Sequence, residues 1–225
     1  MQRGHVQASA RRTDLSRALV FGGAFNPPTR AHIELAEFAM KETGFDKVIF
    51  VPTKQTYIAD EQRKEYVFSD EERLKMLDAV AADHPWMEVS RFEIESETQP
   101  RTYKTLCHYR DRGDTCSLLF GSDKLPELET VWRYVEEIAQ EFGIVCMKRS
   151  DDDPKALIDQ DPYLRTLKPY IRLVDTPAST RFVSSTKIRV SLAEMNRKFQ
   201  KLSSDTPPEL HDILLEVIGG KGLSA

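Results

Sequence analysis

The chain has 225 residues, 40% of them hydrophobic and 30% charged, a composition ordinary for a soluble globular protein and long enough to bury a core. Its net charge of −4, from 36 acidic and 32 basic side chains, argues against broad, sequence-independent nucleic-acid binding, which asks for a strongly basic surface. Three widely spaced cysteines, Cys107, Cys116 and Cys146, imply neither a disulfide framework nor a zinc site and favour a reducing, cytoplasmic setting, and no apolar run reaches the roughly 20 residues that span a bilayer.

Residues 1–17 carry Arg3, Arg11, Arg12 and Arg17 with no apolar stretch behind them, so they read as an N-terminal extension, with an organellar transit peptide as the alternative. Ala18 to Phe21 is a short apolar strand that runs into Gly22-Gly23. A helix is predicted from about Arg30 to Thr43, with Leu35, Ala36, Ala39 and Met40 on one stripe and Gly44 as its stop. Lys47 to Val51 reads as a buried strand closed by Pro52. Residues 53–68 are polar and aperiodic, hence a loop. Ser69 with Glu72 forms a capping box for a helix bearing Leu74, Leu77 and Ala81.

The alternation continues. A strand is predicted over Met87–Ile94, a helix over Arg101–Arg112, and a strand over Cys116–Phe120 that ends at Gly121. A helix over Thr130–Glu141 would carry Trp132, Val135, Ala139 and Phe142 on one face. Ile144–Met147 is a further strand, Asp151 to Pro154 a solvated loop, and Ile171–Val174 a last strand. Ser185 can cap a helix bearing Ile188, Leu192 and Met195. Pro207 and Glu209 suit the start of a final helix with Leu210, Ile213, Leu214 and Val217 as its stripe.

Short apolar strands alternating with amphipathic helices predict a Rossmann-like α/β fold, a parallel sheet with helices on both faces. Residues 18–184 would form this domain and 185–225 a small helical appendage to it. In such sheets ligands bind at the carboxyl ends of the strands, where strand order reverses, and Gly22, Gly23 and Gly121 sit at strand ends.

Two segments carry the chemistry. Gly22-Gly23-Ala24-Phe25-Asn26-Pro27-Pro28-Thr29-Arg30-Ala31-His32 links the first strand to the first helix. The glycines let a phosphate approach the main chain, and the helix start offers N–H groups and a positive dipole end. Thr29 and His32, three residues apart, share one face of that first turn. Taken alone, His32 is better read as a surface residue; the ordered string is what favours phosphate. The second segment is Phe182-Val183-Ser184-Ser185-Thr186-Lys187-Ile188-Arg189, where hydroxyls can donate to an anion and Arg189 can fork onto phosphate oxygens. By itself it also suits an ordinary Ser-capped helix.

In order and together, these segments resemble the nicotinamide and nicotinate mononucleotide adenylyltransferases of the nucleotidyltransferase superfamily. Its Thr/His-x-x-His motif reads Thr29-Arg30-Ala31-His32 here, and its late Ser-Thr-x-x-Arg motif reads Ser185-Thr186-Lys187-Ile188-Arg189. The resemblance runs from about residue 18 to 217. It implies that Gly121 and Asp123 hold the adenosine ribose, that Trp132 stacks on the pyridine ring, that Thr105 and Leu106 meet the ring's exocyclic group, and that Arg149 ends the following strand beside the mononucleotide. Trp132 also fits plain core packing on its helix face. Ala31 stands where a Gly is common, and residues 97–104 match poorly, so amide and acid mononucleotides both remain open.

The implied reaction is attack of the mononucleotide phosphate on the α-phosphorus of ATP, with pyrophosphate leaving. That chemistry needs positioning and charge stabilisation. His32, Thr29 and Arg189 are its candidate catalytic residues; Gly22, Gly23, Ala24, Phe25, Ser185, Thr186 and Ile188 are candidates for the ATP phosphates. Mg²⁺ would arrive with ATP, since no carboxylate cluster suggests a protein-held metal. Partners would be ATP and the mononucleotide, with neither nucleic acid nor membrane, and self-association is left open. Rival readings are pantetheine-phosphate, glycerol-phosphate or flavin nucleotide transfer, or a nucleotide-binding protein without transfer. A dehydrogenase is disfavoured because no Gly-x-Gly-x-x-Gly follows the first strand.

Overall fold

The computed structural model describes residues 16–60, 67–148 and 153–175, together with Val190, Ser191 and Glu194. Its centre is a six-stranded sheet of β1 (Arg17–Gly23), β2 (Lys47–Pro52), β3 (Met87–Val89), β4 (Thr115–Gly121), β5 (Ile144–Met147) and β6 (Ile171–Val174). Every pairing is parallel and the order is β3-β2-β1-β4-β5-β6. The helices are α1 (Arg30–Thr43), α2 (Gln55–Asp60), α3 (Asp70–Ala81), α4 (Phe92–Glu95), α5 (Thr102–Asp111), α6 (Val135–Phe142), α7 (Pro154–Gln160) and α8 (Pro162–Leu167). This is the Rossmann-like architecture that the strand-helix alternation predicts.

Strand alternation divides the core in two. Ala18, Val20, Ile49, Val51, Leu118, Phe120, Ile144 and Cys146 face α5, α6, α7 and α8. Leu19, Phe21, Val48, Phe50, Leu119, Val145 and Met147 face α1 and α3. Successive side chains of a strand point to opposite faces, so a sheet covered on both sides needs apolar residues at every position. That is why the strands read as unbroken apolar runs.

Chain order reverses between β1 and β4, which are hydrogen-bonded neighbours with Phe21 opposite Leu119. The carboxyl ends of these strands, Gly23 and Gly121, therefore open onto one crevice, the place where ligands enter such sheets. α1 is aimed at it. Thr29 is its N-cap, and Gly44 closes its far end in the left-handed region at φ 72°, where its N–H bonds Lys41 O.

Several expectations are corrected. The predicted strand over Met87–Ile94 stops at Val89. Buried Ser90 donates its N–H to Phe50 O at 2.8 Å, and its Oγ accepts from Phe92 N at 3.1 Å, which starts α4. The predicted loop 53–68 contains α2, anchored by fully buried Ile58. The helix expected from Thr130 starts only at Val135; a 3₁₀ turn over Ser122–Glu127 and further turns occupy the space before it. The solvated loop expected over Asp151 to Pro154 gives way to α7 at its end, with Asp153 as the cap and buried Pro154 as the first helical residue; α7 and α8 are each opened by a capping aspartate and a proline, Asp153 accepting from Ala156 N at 3.0 Å and Asp161 from Tyr163 N at 2.8 Å. The late helices expected around Ile188 and Leu210 lie outside the described residues, apart from Val190, Ser191 and Glu194, which are helical. No helix among the described residues is long and apolar enough to cross a membrane.

Candidate active site

The first loop is built around Phe25. This residue adopts a positive φ of 42° and buries its ring against Phe21, Phe50 and the His32 imidazole, at centroid distances of 5.4, 5.4 and 5.3 Å. The ring also lies over Gly23, where a Cβ would come within 3.3 Å of it. A side chain at Gly23 would therefore press on the Phe25 ring. Gly22 is different: a Cβ there meets nothing within 4 Å, and Gly22 faces the open crevice.

His32 is oriented from the helix cap. The Thr29 N–H donates to His32 Nδ1 at 3.0 Å, and Thr29 Oγ1 lies 2.7 Å from the same nitrogen. A backbone N–H can only donate, so Nδ1 must accept, and the neutral ring carries its proton on Nε2. Thr29 itself is buried and stands outside the first helical turn, as its cap. Its part is to position the imidazole.

Across β1 from this loop lies a cavity of about 430 Å³. Gly22, Gly23, Thr53, Tyr57 and the polar trio Glu93, Gln99 and Thr105 line it, with Phe120, Lys124 and Trp132 opposite and exposed Arg101 and Arg133 at its edge. Trp132 lies in the turns before α6, half-buried, its ring tilted by 54° to that of Phe120 at 5.8 Å. Thr105 lines the cavity as expected of a contact residue, but its hydroxyl donates to Glu93 Oε1 at 2.7 Å. Leu106 is fully buried in the core beneath, outside the cavity wall. Gln99 Nε2 donates to the other Glu93 oxygen at 2.5 Å, and its Oε1 accepts from Lys54 N at 3.0 Å. Burial pushes the Glu93 carboxyl above the ordinary glutamate range, partly offset by these two donors.

Gly121 ends β4 beside β1, and Asp123 stands exposed in the first turn of the 3₁₀ segment, with Lys124 Nζ at 3.9 Å. Ser185, Thr186, Ile188, Arg189 and Arg149 lie outside the described residues. Sequence reasoning overlooks Glu93, Gln99 and, above all, Arg73, whose guanidinium is wholly buried beneath the first loop. One signal for Arg73 exists: it falls four residues before Leu77, the other buried residue of α3.

Residues 20–191 match the Cytidylyltransferase-like family. A probable nicotinate-nucleotide adenylyltransferase of Moorella thermoacetica is 32% identical over 178 residues, covering 77% of this chain and 79% of that protein. A probable nicotinate-nucleotide adenylyltransferase/Ap4A hydrolase of Mycoplasma pneumoniae is 33% identical over 133 residues, 58% of this chain and 37% of that longer protein. Among solved structures, a Plasmodium falciparum nicotinic acid mononucleotide adenylyltransferase complexed with NaAD superposes with a TM-score of 0.59 at 17% identity, covering 77% of this chain and 82% of that one, a likeness of fold.

Proposed function

The chain belongs to the Cytidylyltransferase-like family, and from that premise we propose that it transfers AMP from ATP to a pyridine mononucleotide, giving the dinucleotide and pyrophosphate. One observation carries the reading. At the carboxyl ends of β1 and β4, where chain order reverses, a cavity is lined by Gly22, Gly23, a tryptophan and buried polar groups, and the loop that leaves Gly23 leads into α1, whose cap fixes His32 with Nε2 protonated. The relatives named for nicotinate-nucleotide adenylyl transfer agree with it.

In this reaction an oxygen of the mononucleotide 5′-phosphate forms a bond to the α-phosphorus of ATP, and the bond from that phosphorus to the bridging oxygen of pyrophosphate breaks. The phosphate is ionised near neutral pH, so no general base is required. His32 Nε2–H and the positive end of α1 stabilise charge on the phosphate oxygens. Ser185, Thr186 and Arg189 add donors to the same phosphates, and Arg149 serves the mononucleotide. Mg²⁺ enters as part of the ATP substrate. Gly121 and Asp123 hold the adenosine ribose, and Trp132 stacks on the pyridine ring. Nicotinate mononucleotide is the better acceptor and nicotinamide mononucleotide the poorer. The setting is cytoplasmic.

The test is pyrophosphate release from MgATP with a panel of acceptors. Nicotinate and nicotinamide mononucleotides should support it. Release that depends on pantetheine phosphate or flavin mononucleotide, or free phosphate as the main product, would replace this reading.

A further inference from the structure

Resting on that reading, we propose that Arg73 is a positioning residue that sets the spacing between the ATP-phosphate loop and the acceptor pocket. Its side chain has no exposed surface. Nη1 donates to Ala24 O at 2.7 Å, in the loop after β1. Nη2 donates to Thr53 O at 2.6 Å, in the loop after β2, and also to Asp70 Oδ1. A guanidinium is planar and rigid, so the two carbonyls are held apart by a fixed covalent frame. Asp70 Oδ1 also accepts from Gln55 N at 2.7 Å, which ties the second loop to the same centre. Thr53 N donates to Gly23 O at 3.0 Å, and Asn26 Oδ1 accepts from Phe68 N at 2.8 Å.

The connection continues into the pocket wall. From Thr53 the chain passes to Lys54, whose N–H holds Gln99; Gln99 holds Glu93, and Glu93 accepts from Thr105. Thr53, Glu93, Gln99 and Thr105 all line the cavity. One unbroken path thus runs from the carbonyl of Ala24 to the wall that faces Trp132.

The energetics point the same way. Burial pulls the Arg73 guanidinium downward in pKa, Asp70 offsets this in part, and Nε has no hydrogen-bond partner among the described residues. An apolar side chain of similar volume would bury neither a charge nor the unpaired Nε, though it would take the donors from Ala24 O, Thr53 O and Asp70. What it could not do is hold two carbonyls at a set separation. In-line transfer between two bound nucleotides depends on such a separation, because a misplacement of about 1 Å costs on the order of 10²-fold.

Arg73→Lys and Arg73→Met are the variants, with pyrophosphate release from MgATP and nicotinate mononucleotide as the readout. Both should lose about 10- to 100-fold in kcat with each KM within about threefold, in protein shown to be folded at the assay temperature by circular dichroism. Lysine keeps the charge but cannot span both carbonyls, so it should recover melting temperature relative to methionine without recovering kcat. If the methionine variant does not fold, the lysine variant carries the same test. Hydrogen exchange supplies a readout independent of turnover: the amides of Thr53 and Gln55 should lose protection together. A wild-type kcat in either folded variant overturns the proposal, as does a change confined to one KM or protection lost only within α3. An inactive wild type with every acceptor, beside the expected exchange result, overturns the adenylyl-transfer reading and leaves the strut standing.

Discussion

The Thr29 backbone N–H donates to His32 Nδ1 at 3.0 Å, so the cap of α1 and the tautomer of its imidazole are set by one hydrogen bond. A capping box ordinarily uses Glu or Gln at the third helical position to reach back to the cap N–H. Here His32 does so, and the ring keeps its proton on Nε2.

His32→Ala should therefore lower kcat by about 10²-fold, the scale of one preorganised donor, and cost about 1 kcal/mol of stability through the lost cap contact. Thr29→Val removes the Oγ1 contact to Nδ1 and the side-chain half of the capping box but keeps the N–H bond to Nδ1, so its kcat should fall by less than about tenfold. Equal losses in the two variants, measured by pyrophosphate release, would show that hydroxyl and imidazole act as one unit and would overturn the assignment of the donor role to the imidazole alone.

The two glycines of the first loop should separate. Gly23→Ala brings a methyl to about 3.3 Å from the Phe25 ring, which rests edge-on against His32. It should destabilise by about 1 kcal/mol and lower kcat through the displaced imidazole. Gly22→Ala meets nothing in the protein within 4 Å, so melting should be unchanged while the KM for ATP rises. A thermal loss in Gly22→Ala, or wild-type kinetics in both, would contradict this division.

Much of this was legible beforehand because the physics was local. Apolar runs marked β1, β2, β4 and β5, and Gly44 marked the end of α1. What escaped depended on distant partners. β3 ends early because Ser90, still bonded to Phe50 O through its N–H, accepts from Phe92 N on its Oγ and turns the chain into α4. Glu93 and Gln99 look like solvated polar residues until Thr105 and Lys54 N close on them. Arg73 sits in a charged stretch, Asp70-Glu71-Glu72-Arg73, and only its helical spacing from Leu77 sets it apart. The caps of α7 and α8 were readable in principle, since each begins Asp-Pro.

Glu93 makes a pH prediction with a definite sign. Burial raises its carboxyl pKa in the folded protein above that of the unfolded chain. The unfolded chain therefore releases this proton first, and the group costs stability as pH rises from the ordinary glutamate range through the higher folded value. Below that window it contributes nothing. The stability of the wild type relative to Glu93→Gln, from urea midpoints between about pH 4 and pH 7, should fall as pH increases. A difference that is flat would mean that the Thr105 and Gln99 donors cancel burial, and one that rises with pH that they outweigh it; either overturns the prediction.

Trp132 decides whether the cavity is a ring site. Its spacing in the sequence predicts a helix face, where core packing competes with stacking. It lies instead in the turns before α6, half-buried, with Phe120 behind it and the cavity in front. A stacked pyridine would be sandwiched against its indole face, and aromatic stacking is worth about 1 kcal/mol beyond the area buried. Trp132→Ala should then raise the KM for nicotinate and nicotinamide mononucleotides by about tenfold or more, with the KM for ATP nearly unchanged. Because the ring is only partly enclosed, melting should drop less than for a core aromatic, whose loss costs about 3–5 kcal/mol. Trp132→Phe keeps a face to stack on and should recover most of the lost acceptor affinity. A rise confined to the KM for ATP would move Trp132 to the nucleotide side of the crevice, and a large thermal loss with unaltered kinetics would return it to the core.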